Sequence, residues 1–191
     1  MSAKANSPSG PKPLVIGELV MDAGPLNHFA KAGWLGVLRF VADGAQVVIT
    51  EVVEAELRTG AHTRPHLQTV LDSDWIERRV LSSLEELGAY GKFSSRLVGA
   101  DGRNAGEASV LAYAQVHRMI AVIDDGAGRK AGKTAEVQVR GTLGLLMDAI
   151  RSGQLTVEMV SQVADDLLAT QYRLPFVQGE FAQWARQQGL K

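Results

Sequence analysis

The sequence contains no cysteine, and this absence removes several kinds of chemistry from its 191 residues. Disulfide bridges, thiolate nucleophiles and cysteine-ligated zinc sites are all excluded. The absence fits a reducing compartment, so we expect a cytoplasmic protein. No apolar run approaches the roughly 20 residues of a membrane span. Residues 1–13 are rich in Ser, Pro and Lys and lack the apolar stretch of a signal peptide, so we expect a disordered tail there.

The chain also lacks an excess of charge of either sign. Its 20 Lys and Arg residues face 21 Asp and Glu residues, which gives a net charge of −1. A nucleic-acid surface would therefore have to be a local basic patch. Hydrophobic residues make up 46% of the sequence, which is enough for a buried core in a chain of one-domain length. We expect a single domain over residues 14–191.

Short apolar runs alternate with helical patterns along the chain. Apolar or β-branched segments predict five strands, at 14–21, 46–49, 75–80, 119–123 and 137–139. Helical patterns separate these runs, and further helices follow the last one. This alternation is typical of a parallel sheet with helices on both faces. We therefore expect an α/β fold of three layers around a central parallel sheet of four or five short strands.

Acidic residues stand at the ends of the predicted strands or on the helices that follow. Asp22 ends the first strand, and Asp124 and Asp125 end the fourth. Glu56 falls within the apolar stripe of its helix, and Glu107 opens a helix on its core-facing side. Because parallel strands deliver their carboxyl ends to one edge of the sheet, we expect these acids to converge. Each could instead be a helix cap or the partner of an arginine.

A cluster of carboxylates has a specific chemical consequence. The charges repel one another, so either their pKa values rise or a cation holds them together. Mg²⁺ and Mn²⁺ prefer oxygen ligands. When a substrate supplies phosphate, such ions activate a water molecule and stabilise the leaving oxygen. The pattern of acids thus indicates a metal-dependent nuclease.

Four short segments of the sequence resemble the PIN-domain ribonucleases. In chain order they are 20–26 (VMDAGPL), 49–57 (ITEVVEAEL), 105–108 (AGEA) and 122–129 (VIDDGAGR). The likeness is greatest to a prokaryotic branch with a Gly-Glu-Ala motif, related to the VapC-type toxins. The segment 141–146 (GTLGLL) is similar to that branch as well. The resemblance covers residues 14–168.

The resemblance implies a PIN-like fold and cleavage of RNA by a metal-activated water, with Mg²⁺ or Mn²⁺ as cofactor. It also implies a homodimer and a small antitoxin protein as partner. By position, the family's catalytic, metal-binding acids correspond to Asp22, Glu56, Glu107 and Asp124. Asp125 is an alternative match for the fourth place and a further candidate metal ligand. A PIN-like module that has lost cleavage and acts through its dimer or a partner is the competing interpretation.

A glycine- and lysine-rich segment follows Asp125. Residues 127–134 match a relaxed phosphate-binding P-loop with Ala in place of the first Gly, which offers nucleotide binding as another interpretation. The two acids before it would repel bound phosphates, and no long helix is expected after it. Arg129, Lys130 and Lys133 suit contact with an RNA backbone better. The alternative for these three cations is a solvated face.

Overall fold

A computed structural model describes residues 18–42, 44–100 and 102–190. Its centre is a parallel sheet in the order β3-β2-β1-β4-β5. The strands are β1 (Leu19–Met21), β2 (Val47–Thr50), β3 (Ile76–Arg79), β4 (Ile120–Val122) and β5 (Val139–Arg140). The expected α/β fold with four or five short parallel strands is confirmed. The predicted tail at 1–13 and the predicted strand residues 14–17 lie outside the described residues.

Helices flank this sheet. They are α1 (Ala23–Lys31), α2 (Leu35–Val41), α3 (Glu51–Ala61), α4 (Leu67–Leu71), α5 (Leu84–Leu97), α6 (Ala105–His117), α7 (Gly126–Thr134), α8 (Thr142–Arg151), α9 (Val157–Ala169) and α10 (Phe181–Gln187). Within the described residues, no helix is both long and apolar enough to cross a membrane. Helix α10 begins only at Phe181, because residues 177–180 form a turn in which Gly179 has a φ of 80°.

The central strand β1 is fully buried between two neighbours. Leu19 pairs with Val47 of β2 on one side and with Ile120 of β4 on the other. All three residues of β1 have no solvent exposure, as expected for a strand that is covered on both faces of a parallel sheet. The pairing continues one residue further, because the Asp22 N–H donates to the Val122 carbonyl at 3.1 Å.

At the carboxyl edge of the sheet, where the parallel strands end, helices begin immediately after the strands. The Asp22 side chain caps α1, and the Thr50 hydroxyl accepts from the Val53 N–H to cap α3. The Thr50 hydroxyl also bonds to that of Ser109 at 2.7 Å, which ties the start of α3 to α6. The carboxyl edge is thus lined by helix amino termini that are fixed to one another.

Asn104 fastens a loop and does not cap the helix that follows it. Asn104 precedes α6, but its side chain does not accept from the first turn of the helix. Its backbone lies in the left-handed region with a φ of 67°, a conformation that Asn tolerates better than most residues. The side-chain amide instead donates to the Leu97 carbonyl at 3.1 Å, so Asn104 fastens the loop that connects α5 to α6.

Glu86, near the amino terminus of α5, is a buried acid with several hydrogen-bond partners. The Glu86 carboxylate is 5% exposed and accepts from the N–H groups of Ser82 and Ser83, while the Ser83 hydroxyl accepts from the Glu86 N–H. His117 Nε2 lies 2.7 Å from the same carboxylate. Although burial opposes ionisation, the hydrogen bonds from His117, Ser83 and Ser82 lower the pKa of Glu86 to about 2.

We predict that Glu86→Gln lowers the free energy of unfolding at pH 7 by about 1 kcal/mol, because Gln keeps the capping box but loses the charge opposite His117. A carboxyl whose pKa is lowered by folding contributes stability above its ordinary pKa and loses it as the pH falls toward the folded value. The difference from wild type should therefore shrink between about pH 4.5 and pH 2. Urea denaturation at pH 7 and pH 3.5 measures this. Glu85→Gln, at an exposed neighbour, is the control, and an equal loss at both pH values would contradict the prediction.

Candidate functional site

Asp22 occupies the centre of the carboxyl edge and has two roles at once. Its Oδ2 accepts from the Gly24 N–H at 3.2 Å and so caps α1. The residue is only 6% exposed, and its Oδ1 has no hydrogen-bond partner among the described residues. Capping therefore engages one oxygen of the carboxylate and leaves the other buried without a partner.

Glu56 on α3 and Glu107 on α6 approach Asp22 from two helices. Gly106, in the first turn of α6, lies directly between two of the carboxylates. A Cβ atom placed on Gly106 would be 3.0 Å from Glu56 Oε2 and 3.1 Å from Asp22 Oδ1. The glycine of the Gly-Glu-Ala segment is thus the residue type that lets α6 come this close to both acids.

The expected burial of Glu56 within an apolar stripe is wrong. Val53, Leu57 and Gly60 of α3 are buried as predicted, but Glu56 is exposed. Helical periodicity gives the direction in which a side chain points, and the neighbouring elements decide whether it is covered. Here Glu56 and Glu107 line a cleft of about 420 Å³ at the start of α6, so the Glu56 carboxylate faces open space.

The three carboxylates strongly perturb one another. Burial, together with the charges of Glu107 and Glu56, raises the pKa of Asp22 to about 8. Although Glu56 as a whole is exposed, partial desolvation of its carboxylate by the surrounding protein raises its pKa, and nearby Arg64 partly opposes this shift. The pKa of Glu107 is raised by burial and by Glu56 and Asp125, against the effect of a backbone hydrogen bond. Asp22, Glu56 and Glu107 thus form the acidic cluster of this site, with Asp125 close enough to act on it.

Asp124 lies at the end of β4 and is fixed by partners that the sequence analysis did not identify. Its Oδ1 accepts from the Thr142 N–H and its Oδ2 from the Thr142 hydroxyl, both at 2.7 Å. Tyr172 hydrogen-bonds to the same carboxylate. The Gly-Thr pair at 141–142 was visible in the sequence, but Tyr172 is far along the chain and has no local signal.

Asp125 has a different structural role from Asp124. Its Oδ2 accepts from the N–H groups of Ala127 and Gly128, at 2.6 and 2.9 Å, and so caps α7. The charge of Asp125 contributes to the raised pKa of Glu107, whereas the charge of Asp124 acts on His28 and Tyr172. The two adjacent acids therefore point into different surroundings.

The acids suit a hard divalent cation in donor type and charge. All the candidate ligands are carboxylate oxygens, and the buried Asp22 Oδ1 lacks any hydrogen-bond donor, which fits a cation that prefers oxygen. In this conformation, no group of three or more His, Asp or Glu side chains in the described ranges is arranged to hold a metal ion. Binding an ion would therefore require some of these side chains to move closer together.

The nucleotide-binding interpretation of residues 127–134 is wrong. These residues belong to α7, and the carboxylate of Asp125 occupies the amides at its amino terminus. The glycines of this segment allow α7 to pack closely against neighbouring side chains. Cβ atoms at Gly128 and Gly132 would collide with Ile123 and with Val139 and Leu111, respectively. No phosphate-binding loop remains in this segment.

The three basic residues of α7 are all exposed, as a surface contact with RNA would require. The Arg129 side chain donates to the Asp124 carbonyl at 2.8 Å. Arg129 also lines a groove of about 920 Å³ whose lining includes Asp124, Asp125, Tyr172 and Trp184. We call this the Trp184 groove. Lys130 and Lys133 do not line it, so their contact with RNA stays a prediction.

Comparisons with known proteins agree with this fold. The sequence matches the profile of the DUF3368 family, a PIN domain, over residues 18–178. No curated protein matches it significantly. A similar solved structure is VapBC2 from Rickettsia felis bound to a DNA fragment from their promoter, with 14% identity and a TM-score of 0.48 over 64% of this chain and 97% of that chain. Because the profile covers the five strands and every candidate acid, the chain belongs to the DUF3368 family of PIN domains.

Proposed function

We propose that the protein is a metal-dependent endoribonuclease. PIN domains are generally nucleases, so the family supports this class of activity. The observation that carries the proposal is the buried Asp22 oxygen that lacks a hydrogen-bond partner and lies beside two further carboxylates with raised pKa values. Such an arrangement disfavours the folded state unless protons or a cation neutralise it.

The proposed ligands of Mg²⁺ or Mn²⁺ are Asp22, Glu56 and Glu107, with Asp124 or Asp125 as the fourth acid. The ion would supply a nucleophilic water and stabilise the leaving oxygen of the RNA phosphodiester. The fold of the protein fixes where these acids lie. Pairing of β1 with β4 fixes the backbone of Asp22, and Thr142 fixes both oxygens of Asp124.

The expectations about partners belong to the same proposal. As a VapC-like toxin, the protein would form a homodimer and bind a small antitoxin protein, and it would act in the cytoplasm. The second candidate function is a PIN-like module that binds without cleaving. That candidate is favoured by the absence, within the described residues, of a group already arranged to hold a metal ion.

The raised pKa of Asp22 leads to a prediction about stability. A carboxyl group whose pKa is raised by folding stabilises the folded state most at pH values below its ordinary pKa, which is 3.8 for Asp22. This contribution is lost as the pH rises through the pKa of the folded state, which is about 8. In EDTA, Asp22→Asn should therefore be more stable than wild type at pH 9, by at least the roughly 1.4 kcal/mol of one pKa unit. This advantage should shrink toward pH 4. Asn still caps α1, so urea denaturation across this range isolates the charge, and a constant difference would contradict the prediction.

Metal binding and cleavage test the proposed activity itself. Mn²⁺ should raise the melting temperature of wild type but not of Asp22→Asn, and wild type should cleave single-stranded RNA internally. Asp22→Asn, Glu56→Gln and Glu107→Gln should each reduce the cleavage rate about 100-fold or more. Asp72→Asn, before the amino end of β3, is the control. Wild type that binds Mn²⁺ and RNA but leaves the RNA intact would favour the non-cleaving module.

Replacing Asp124 and Asp125 separately distinguishes their roles. Asp124→Asn should lower the free energy of unfolding by about 1–2 kcal/mol, because an amide cannot accept from both donors of Thr142. Asp125→Asn should change it by less than about 0.5 kcal/mol, since Asn caps a helix as well as Asp does. We expect both variants to weaken Mn²⁺ binding, as measured by calorimetry. Unchanged affinity in Asp125→Asn would remove Asp125 from the ligands.

A further inference from the structure

The Trp184 groove is lined by Asp124 and Asp125 but not by Asp22, Glu56 or Glu107. Its volume of about 920 Å³ is roughly twice that of the cleft at Glu56 and Glu107. Besides these two acids, its lining contains two kinds of side chain that suit a nucleic acid. Three are arginines, namely Arg129, Arg151 and Arg173, and the others include aromatic and apolar side chains such as Tyr172, Trp184 and Met147. The groove thus combines positive charge with flat apolar surface.

The three arginines differ in how strongly they are already engaged. Arg129 donates to the main-chain carbonyl of Asp124. Because a carbonyl group has no net charge, this contact does not neutralise the guanidinium group. Arg151 pairs with Asp148 at 2.9 Å, but Asp148 also pairs with Arg140 at 3.4 Å. One carboxylate is therefore shared between two arginines. Arg173 is exposed on the segment between α9 and α10.

The aromatic lining is held rigidly from behind. Phe176 and Phe181 pack against Trp184, with ring centroids 5.2 and 6.2 Å away. Tyr172 is buried, hydrogen-bonds to Asp124 and contacts the His28 ring at 4.8 Å. A side chain that is fixed in this way loses little conformational freedom when a ligand stacks on it.

We propose that the Trp184 groove binds the part of a single-stranded RNA that lies next to the cleaved phosphate. The arginines take the backbone phosphates, and a base stacks on Trp184. This inference rests on the proposed function, because that function places a phosphodiester at the acids, two of which, Asp124 and Asp125, line the groove. It adds Arg151, Arg173 and Trp184 to the residues that contact substrate.

The combination of surfaces favours RNA over an acidic peptide. Each nucleotide carries one negative charge and one flat base, and the groove offers guanidinium groups together with a supported indole ring. Acidic side chains of a peptide would match the arginines but would leave the aromatic surface without a stacking partner.

The test is the affinity for a short fluorescent oligoribonucleotide, measured by anisotropy in EDTA at several salt concentrations. Arg173→Ala should weaken binding and reduce the salt slope by about 0.7, the value for one phosphate contact in a single strand. Trp184→Leu should weaken binding about 5- to 150-fold, whereas Trp184→Phe keeps most of the affinity because it keeps an aromatic face. Arg39→Ala, which removes an exposed arginine on α2, should leave the affinity unchanged.

Circular dichroism and melting temperature establish that each variant is folded before its affinity is compared. Equal losses for Arg173→Ala and Arg39→Ala would overturn the proposal, because they would show that charge alone matters. Displacement of the RNA by a poly-glutamate peptide at equal concentration would overturn it in favour of a peptide site. Since the assay needs neither metal nor cleavage, groove-specific binding by a protein that never cleaves would support the groove and contradict only the proposed nuclease activity.

Discussion

The burial of Asp22 at the end of the central strand is the constraint on which the site depends. Strand β1 has neighbours on both sides, and the Asp22 N–H is bonded to the Val122 carbonyl. The residue therefore cannot move to the surface without breaking the sheet. Its carboxylate is held next to two other acids at a free-energy cost that its raised pKa expresses. A feature that opposes folding in this way is best explained by function.

Close backbone approach is the means by which the fold assembles these acids. Each of four acids lies against a glycine where a Cβ atom would be within 3.0–3.5 Å of the acid's side chain. The glycines are Gly24 at Asp22, Gly106 at Asp22 and Glu56, Gly128 at Glu107, and Gly141 at Asp124. At Gly106 and Gly141 a Cβ atom would be only 3.0–3.1 Å from carboxylate oxygens, so a larger residue there would push the backbone away from the acids. The sequence segments that resemble PIN domains are therefore acids together with the glycines that allow them to approach.

The sequence was sufficient to predict the parts of the structure that follow from local patterns. Each of the five predicted strands overlaps an observed one, and the acids at strand ends were expected to converge because parallel strands share an edge. The exposure of Glu56 could not be predicted, since it depends on which element covers α3. The roles of Thr142 and Tyr172 were missed for a related reason. Tyr172 reaches Asp124 only because the chain after α9 folds back to the end of β4.

This return of the chain also explains why overall charge was uninformative. The net charge of −1 is a sum over all charged residues of the chain. In this sum, the negative charges of the acids at the carboxyl edge cancel the positive charges of the arginines in the neighbouring Trp184 groove. A cation at the acids would remove the repulsion there and leave the arginines to act on a phosphate backbone. Under the proposed binding, a nearly neutral protein would present a positively charged path to RNA, and the C-terminal segment that carries Arg173 and Trp184 would be part of that path.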